Sequence, residues 1–104
     1  MNDYQVEISR ASARKLAAHV SFLARVSEPA ALRLHQEIFA DIRGLSEQPS
    51  SYMRYESKRF PNRVLHRKLS AKRYLLIFAV DEHQKRVTVV DIQDCRQDVD
   101  KNLV

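Results

Sequence analysis

Between residues 63 and 73 the chain reads RVLHRKLSAKR, and within it His66 and Lys68 stand two positions apart. On an extended strand such residues project to the same face, about 7 Å apart. Val64, His66 and Lys68 would then share one side, with Arg63, Leu65, Arg67 and Leu69 on the other. A histidine beside a lysine suits metal-free cleavage of RNA. That reaction needs a group to take a proton from a 2′-hydroxyl, cations to hold the charge that builds on phosphorus, and an acid for the leaving oxygen. His66 fits the first or last task, and Lys68 and Arg96 fit the second. A plainer reading of the same run is a solvated strand edge that blocks aggregation, or a protein-binding surface. On either reading Arg63, Arg67, Lys72 and Arg73 are the candidates for touching a nucleic acid or a protein target through charge.

Other chemistries lack their residues. A chain with one glycine has no glycine-rich phosphate loop. No GxSxG, HExxH or paired acidic metal motif is present, and no Cys/His cluster has zinc spacing, so no cofactor or metal is expected. The lone Cys95 has no partner for an internal disulfide and reads as an inert thiol of a reduced, cytoplasmic protein. MNDYQVEISR lacks the apolar core of a signal peptide, and no run is long enough to span a bilayer.

The net charge is +5 and the sequence pI about 9.7. The charge is unevenly spread. Residues 54 to 73 hold Arg54, Lys58, Arg59, Arg63, Arg67, Lys68, Lys72 and Arg73 against only Glu56. One side of an otherwise near-neutral molecule is thus strongly positive, as suits nucleic acid, an acidic protein, or both. At 104 residues, 44% of them hydrophobic, the chain has the length for one domain with a real core, residues 1–104.

The elements that must position these residues are legible in the periodicity. YQVEI (4–8) alternates as a half-buried strand does. From Ser9 or Ser12, Ala13, Leu16, Val20 and Leu23 make one apolar stripe on a helix to about Arg25. Ser27, Glu28 and Pro29 restart a helix, with Ala31, Leu34, Ile38 and Ile42 as its buried face and Gly44 at a left-handed end. Residues 46 to 62 show no period and read as a surface connection. Strands follow at about 63–69, 74–80 and 86–92, the middle one apolar enough to be covered on both faces. The tail from Gln93 reads as polar, with a short helical turn. The order β-α-α-β-β-β gives an α+β two-layer domain, a helical hairpin packed on an antiparallel sheet.

This order, together with RKLSAKRYLLIFAVDEHQKRVTVVDIQDCRQD (67–98), resembles the RelE/ParE superfamily of bacterial type II toxin-antitoxin toxins, which includes plasmid stabilisation proteins. The resemblance implies a microribonuclease-like fold, a cognate antitoxin that wraps the toxin in a hetero-oligomer, and one of two targets. RelE-like members cut messenger RNA on the ribosome with lysines, arginines and a C-terminal tyrosine; ParE-like members poison DNA gyrase. The paired basic positions of the RelE strand fall on His66 and Lys68, and the arginine of its next strand falls on Leu75. Arg96 matches the arginine after the last strand, while the position of the C-terminal tyrosine holds Asp100. KRYLLIF and CRQD fit the ParE form better. The resemblance therefore implies a gyrase-directed toxin. Its alternatives are a ribosome-dependent endoribonuclease using Lys68, Arg96 and His66, and a non-toxic remnant that only binds antitoxin.

Overall fold

The computed structural model describes residues 3–95. β1 (Gln5–Ile8) leads into α1 (Arg10–Val26) and α2 (Glu28–Gly44). A 3-10 turn (Pro49–Ser51) and a two-residue strand, β2 (Arg54–Tyr55), precede the long strands β3 (Leu65–Ser70), β4 (Tyr74–Asp81) and β5 (Arg86–Asp94). The three long strands fall where alternation and apolar runs put them. β2 was not expected, because two residues carry no period.

Serines fix the helical hairpin. Ser9 caps α1 by accepting from the Ser12 amide at 3.1 Å. Ser27 serves both helices: its N–H closes α1 on the Leu23 carbonyl at 2.8 Å, and its hydroxyl accepts from the Ala30 amide at 3.3 Å to open α2. No residue is spent on a loop, so the helices fold back on each other as an αα-hairpin. Leu16, Ala31, Leu34, Ile38 and Ile42 are buried as the spacing required. Two details differ. Ala13 is exposed and Ser12 takes its place in the interior. Gly44 ends α2 without a positive φ, and Leu45 caps the helix in right-handed geometry. The left-handed residue comes later, at Gln48 with φ 48°.

The sheet has five strands in the order β1-β5-β4-β3-β2. The meander β3-β4-β5 is antiparallel, but β1 lies parallel to β5, with Gln5 opposite Arg86 and Ile8 opposite Val89. The antiparallel meander is as expected, and β1 adds a parallel edge strand that makes the sheet mixed. A helical hairpin returns the chain across the sheet between β1 and the meander, so β1 can join β5 in the same direction. β4 is central, and both its faces are covered. Tyr74, Leu76 and Phe78 join Leu16, Leu34, Ile38, Ile42, Val87, Val89 and Ile92 in the main core beneath the helices. Ile77 joins Leu65 and Val90 in a smaller cluster on the far side, roofed by Tyr55 and Phe60. A bulge lets Ile77 face Asp91 while Phe78 faces Val89, leaving Val90 as the extra residue.

Candidate functional site

The register settles the direction of each basic side chain on β3. His66, Lys68 and Ser70 stand opposite Phe78, Leu76 and Tyr74, all core residues on the helix side. Val64, expected to share that face, lies before the strand begins and is exposed. His66 is 6% exposed and its ring stacks on Phe78 at 5.8 Å. Its Nδ1 lies 2.8 Å from the Tyr52 carbonyl oxygen. A carbonyl only accepts, so Nδ1 carries the proton and the tautomer is fixed. Lys68 is tied as well: Nζ lies 3.9 Å from Asp41 on α2 and 5.7 Å from the centre of the Tyr52 ring. Asp41 also accepts from the Ser70 hydroxyl at 2.6 Å. The two catalytic candidates on β3 therefore share one side, as expected, and both are held by protein groups.

The cations on the other side have fewer such ties. Arg67 points away from the helices and its Nη2 meets Met53 Sδ at 3.8 Å. Arg63 lies in the connection before β3, its guanidinium 5.9 Å from the centre of the Phe60 ring. Arg59 lies 5.4 Å from the same ring and 3.9 Å from Asp91. Lys15 of α1 reaches Asp91 at 3.2 Å, so this buried carboxylate is flanked by two cations.

Lys72 and Arg73 belong to the β3–β4 turn, where the Arg73 N–H closes on the Ser70 carbonyl at 3.2 Å. Ala71 and Lys72 take φ of 53° and 59°, a pair that hairpins usually give to Asn-Gly. Lys72 is exposed at the tip. Arg73 instead grips buried Asp94 through two hydrogen bonds, Nε at 3.0 Å and Nη2 at 2.8 Å. That bonding holds the guanidinium above its already high ordinary pKa. Of the four residues expected to contact a target, Arg73 thus has a structural task and Lys72 stands in solvent.

Leu75 is half-buried, opposite Leu69 and Gln93, and packs on the far-side cluster, so no cation stands at that point of β4. Arg96 and Asp100 lie outside the described residues. Among the described residues no three His, Cys, Asp or Glu side chains gather to hold a metal ion, and no helix is long and apolar enough to cross a membrane. Sequence reasoning missed Asp41, Tyr52, Asp91 and Asp94, which tie down the basic residues. Only Phe60, an aromatic set between Arg59 and Arg63 in a polar stretch, carried a visible signal.

The model of the ParE toxin family of the type II toxin-antitoxin system parDE matches residues 6–99. Among solved structures, the chromosomal ParDE toxin-antitoxin system from P. aeruginosa aligns with a TM-score of 0.71 at 17% identity, over 90% of this chain and 98% of that one. The RelBE2 toxin-antitoxin complex from Mycobacterium tuberculosis aligns with a TM-score of 0.55 at 19% identity, over 90% of this chain and 93% of that one. The archaeal RelE-RelB complex from Pyrococcus horikoshii OT3 gives 0.52 at 18% identity, over 90% and 96%. No curated protein matches. These structures share the fold of this chain, and the family model spans almost all of its length: the chain belongs to the ParE toxins of type II toxin-antitoxin systems.

Proposed function

We propose that this toxin, as one domain over residues 1–104, inhibits growth by acting on DNA gyrase in the cytoplasm and is neutralised by a cognate antitoxin. The observation that carries the reading is the state of β3 and β4. His66 is buried with its Nδ1 proton engaged, Lys68 leans on Asp41 and Tyr52, and Leu75 fills the place of a cation. A nuclease needs such groups aimed at a phosphate, and losing one cation from the transition state costs about 3 kcal/mol. A binding toxin needs only surface.

An antitoxin segment has a place to lie. Phe22 and Val26 of α1 are 67% and 74% exposed, and Phe22 borders a depression of about 260 Å³ with Ala18, His19, Leu23, Arg73 and Tyr74. An apolar helix face with a carboxylate toward Arg73 would suit it. The similar structures named above are complexes of toxin with antitoxin.

The ribonuclease reading keeps one supporting observation: His66 and Lys68 do share a side, with the Lys68 side chain 26% exposed. Induction of the protein in cells, with plasmid supercoiling, DNA breaks and transcript cleavage measured together, separates the two. DNA breaks with intact transcripts are expected, and the double variant His66→Phe, Lys68→Met should remain toxic. Codon-phased transcript cuts that vanish in that variant would replace gyrase with the ribosome as target. No growth defect at all would mark a non-toxic antitoxin binder.

A further inference from the structure

On the side of the sheet away from the helices, we infer a second binding surface, for the phosphate backbone of duplex DNA, built from the connection between β2 and β3. It does not depend on gyrase being the target. Lys58 and Arg63 line an open depression of about 930 Å³ there, and Arg59 is exposed beside it; Arg54 borders it from the edge strand, where it pairs with His66 and so shares the helix-side face. One carboxylate, Glu56, shares the depression; the nearby Asp91 is occupied by Lys15 and Arg59.

Two features make this more than a solvated charge run. The connection is anchored, since Phe60 packs on Leu65, Ile77 and Val90 while Arg59 and Arg63 lie against its ring. A guanidinium restrained against a ring loses less freedom on meeting a phosphate, and its fork can bond two phosphate oxygens at once. The surface also has a boundary. Arg63 borders a second depression whose walls carry three carboxylates, Glu7, Asp81 and Glu82, against one further arginine, Arg86, so the basic surface gives way on that flank to a net acidic one that disfavours a polyanion.

The form of the site selects duplex over the other polyanions. Single strands are bound by aromatic faces on which bases stack, and the two aromatic rings beside these cations, Tyr55 and Phe60, both pack on the Leu65, Ile77 and Val90 cluster, with Arg59 and Arg63 lying against Phe60. Cations spread round the rim of a wide, open depression, rather than converging on one point in it, fit a backbone read by charge alone.

The test is fluorescence anisotropy of the full chain with a labelled mixed-sequence duplex over a salt series. The logarithm of affinity should fall with that of salt at a slope of about −2 to −4, as two to four phosphate contacts require. Lys58→Ser with Arg63→Ser, which leaves the Arg59–Asp91 contact in place, should weaken binding about tenfold or more. Arg10→Ser, Arg14→Ser and Arg33→Ser together remove more charge from exposed helix positions and should weaken it far less. Thermal melting of each variant confirms that it folds. The inference is overturned if the helix triple loses as much affinity as the double variant. Oligo-dT or polyglutamate binding as tightly as duplex would overturn it too. The assay contains no gyrase, so it stands or falls apart from the proposed target; supercoiling inhibition by the double variant, run in parallel, tests that target alone.

Discussion

Toward the helices, β3 lays His66, Lys68 and Ser70 against β4 and α2, where Tyr52 and Asp41 receive them. Away from the helices, Arg67 and the connection before β3 present Lys58, Arg59 and Arg63 around a single anchored ring. The charges come from one short stretch of chain, yet the first set belongs to the interior and the second to the surface. What separates them is how much apolar matter each side of β4 must cover. The helix side closes over a large core, and a charge there is tolerated only with a partner. The far side holds a cluster of three buried residues, and its cations keep to the rim.

The sharpest way to break this comparison is to empty each side in turn. Phe78→Ala should cost about 3–5 kcal/mol, because Phe78 is wholly buried beneath both helices, whereas Phe60→Ala should cost about 1–2 kcal/mol. Urea unfolding gives both values, and equal losses would mean that the two sides are equally closed. Next comes the contrast inside the β3–β4 turn. Arg73→Met strips the two-pronged partner from buried Asp94 and should cost about 2–4 kcal/mol, reduced from the fully buried case by the partial exposure of Arg73. Lys72→Met, one position earlier and exposed, should change stability by less than about 0.5 kcal/mol.

Smaller effects test local geometry. Replacing Ala71 by Asn and Lys72 by Gly, residue types that adopt positive φ readily, should raise stability by about 1 kcal/mol, read as a higher unfolding midpoint. Finally, Glu82 accepts hydrogen bonds from the hydroxyls of Ser50 and Tyr4, and these hold its carboxyl below the ordinary range, the serine contributing most. A depressed folded-state pKa supplies stability above the unfolded value that disappears as pH falls through the folded one. Wild type should therefore have the higher urea midpoint near neutral pH, and its advantage over Glu82→Gln should shrink as pH falls through and below the ordinary glutamate range.

The fold was legible because its elements announce themselves locally. Ser27 with Pro29, the spacing of Leu34, Ile38 and Ile42, and the unbroken YLLIF strand each state one element without reference to the rest. β1 read correctly as a strand, but its parallel partner could not be read, since pairing across a sheet leaves no mark on either sequence alone. The site divided in the same way. Alternation placed His66 and Lys68 on one side, a local fact. That the side faces inward follows from α2 bringing Asp41 and the 3-10 turn bringing Tyr52, contacts made over 27 and 14 positions of sequence respectively. Arg73 looked like its neighbours in the basic run until Asp94, 21 positions on, claimed it.

The parallel pairing of β1 with β5 bears on how the toxin comes into being. Gln5 meets Arg86 and Ile8 meets Val89, so the first strand made by the ribosome has no seat until the last described strand has been synthesised. The helical hairpin forms early from neighbours, but the sheet it covers closes late and across the greatest separation in the chain, the slow kind of contact. A growing chain therefore carries its apolar stripe uncovered until β5 has been made, and only then can the sheet close beneath the helices.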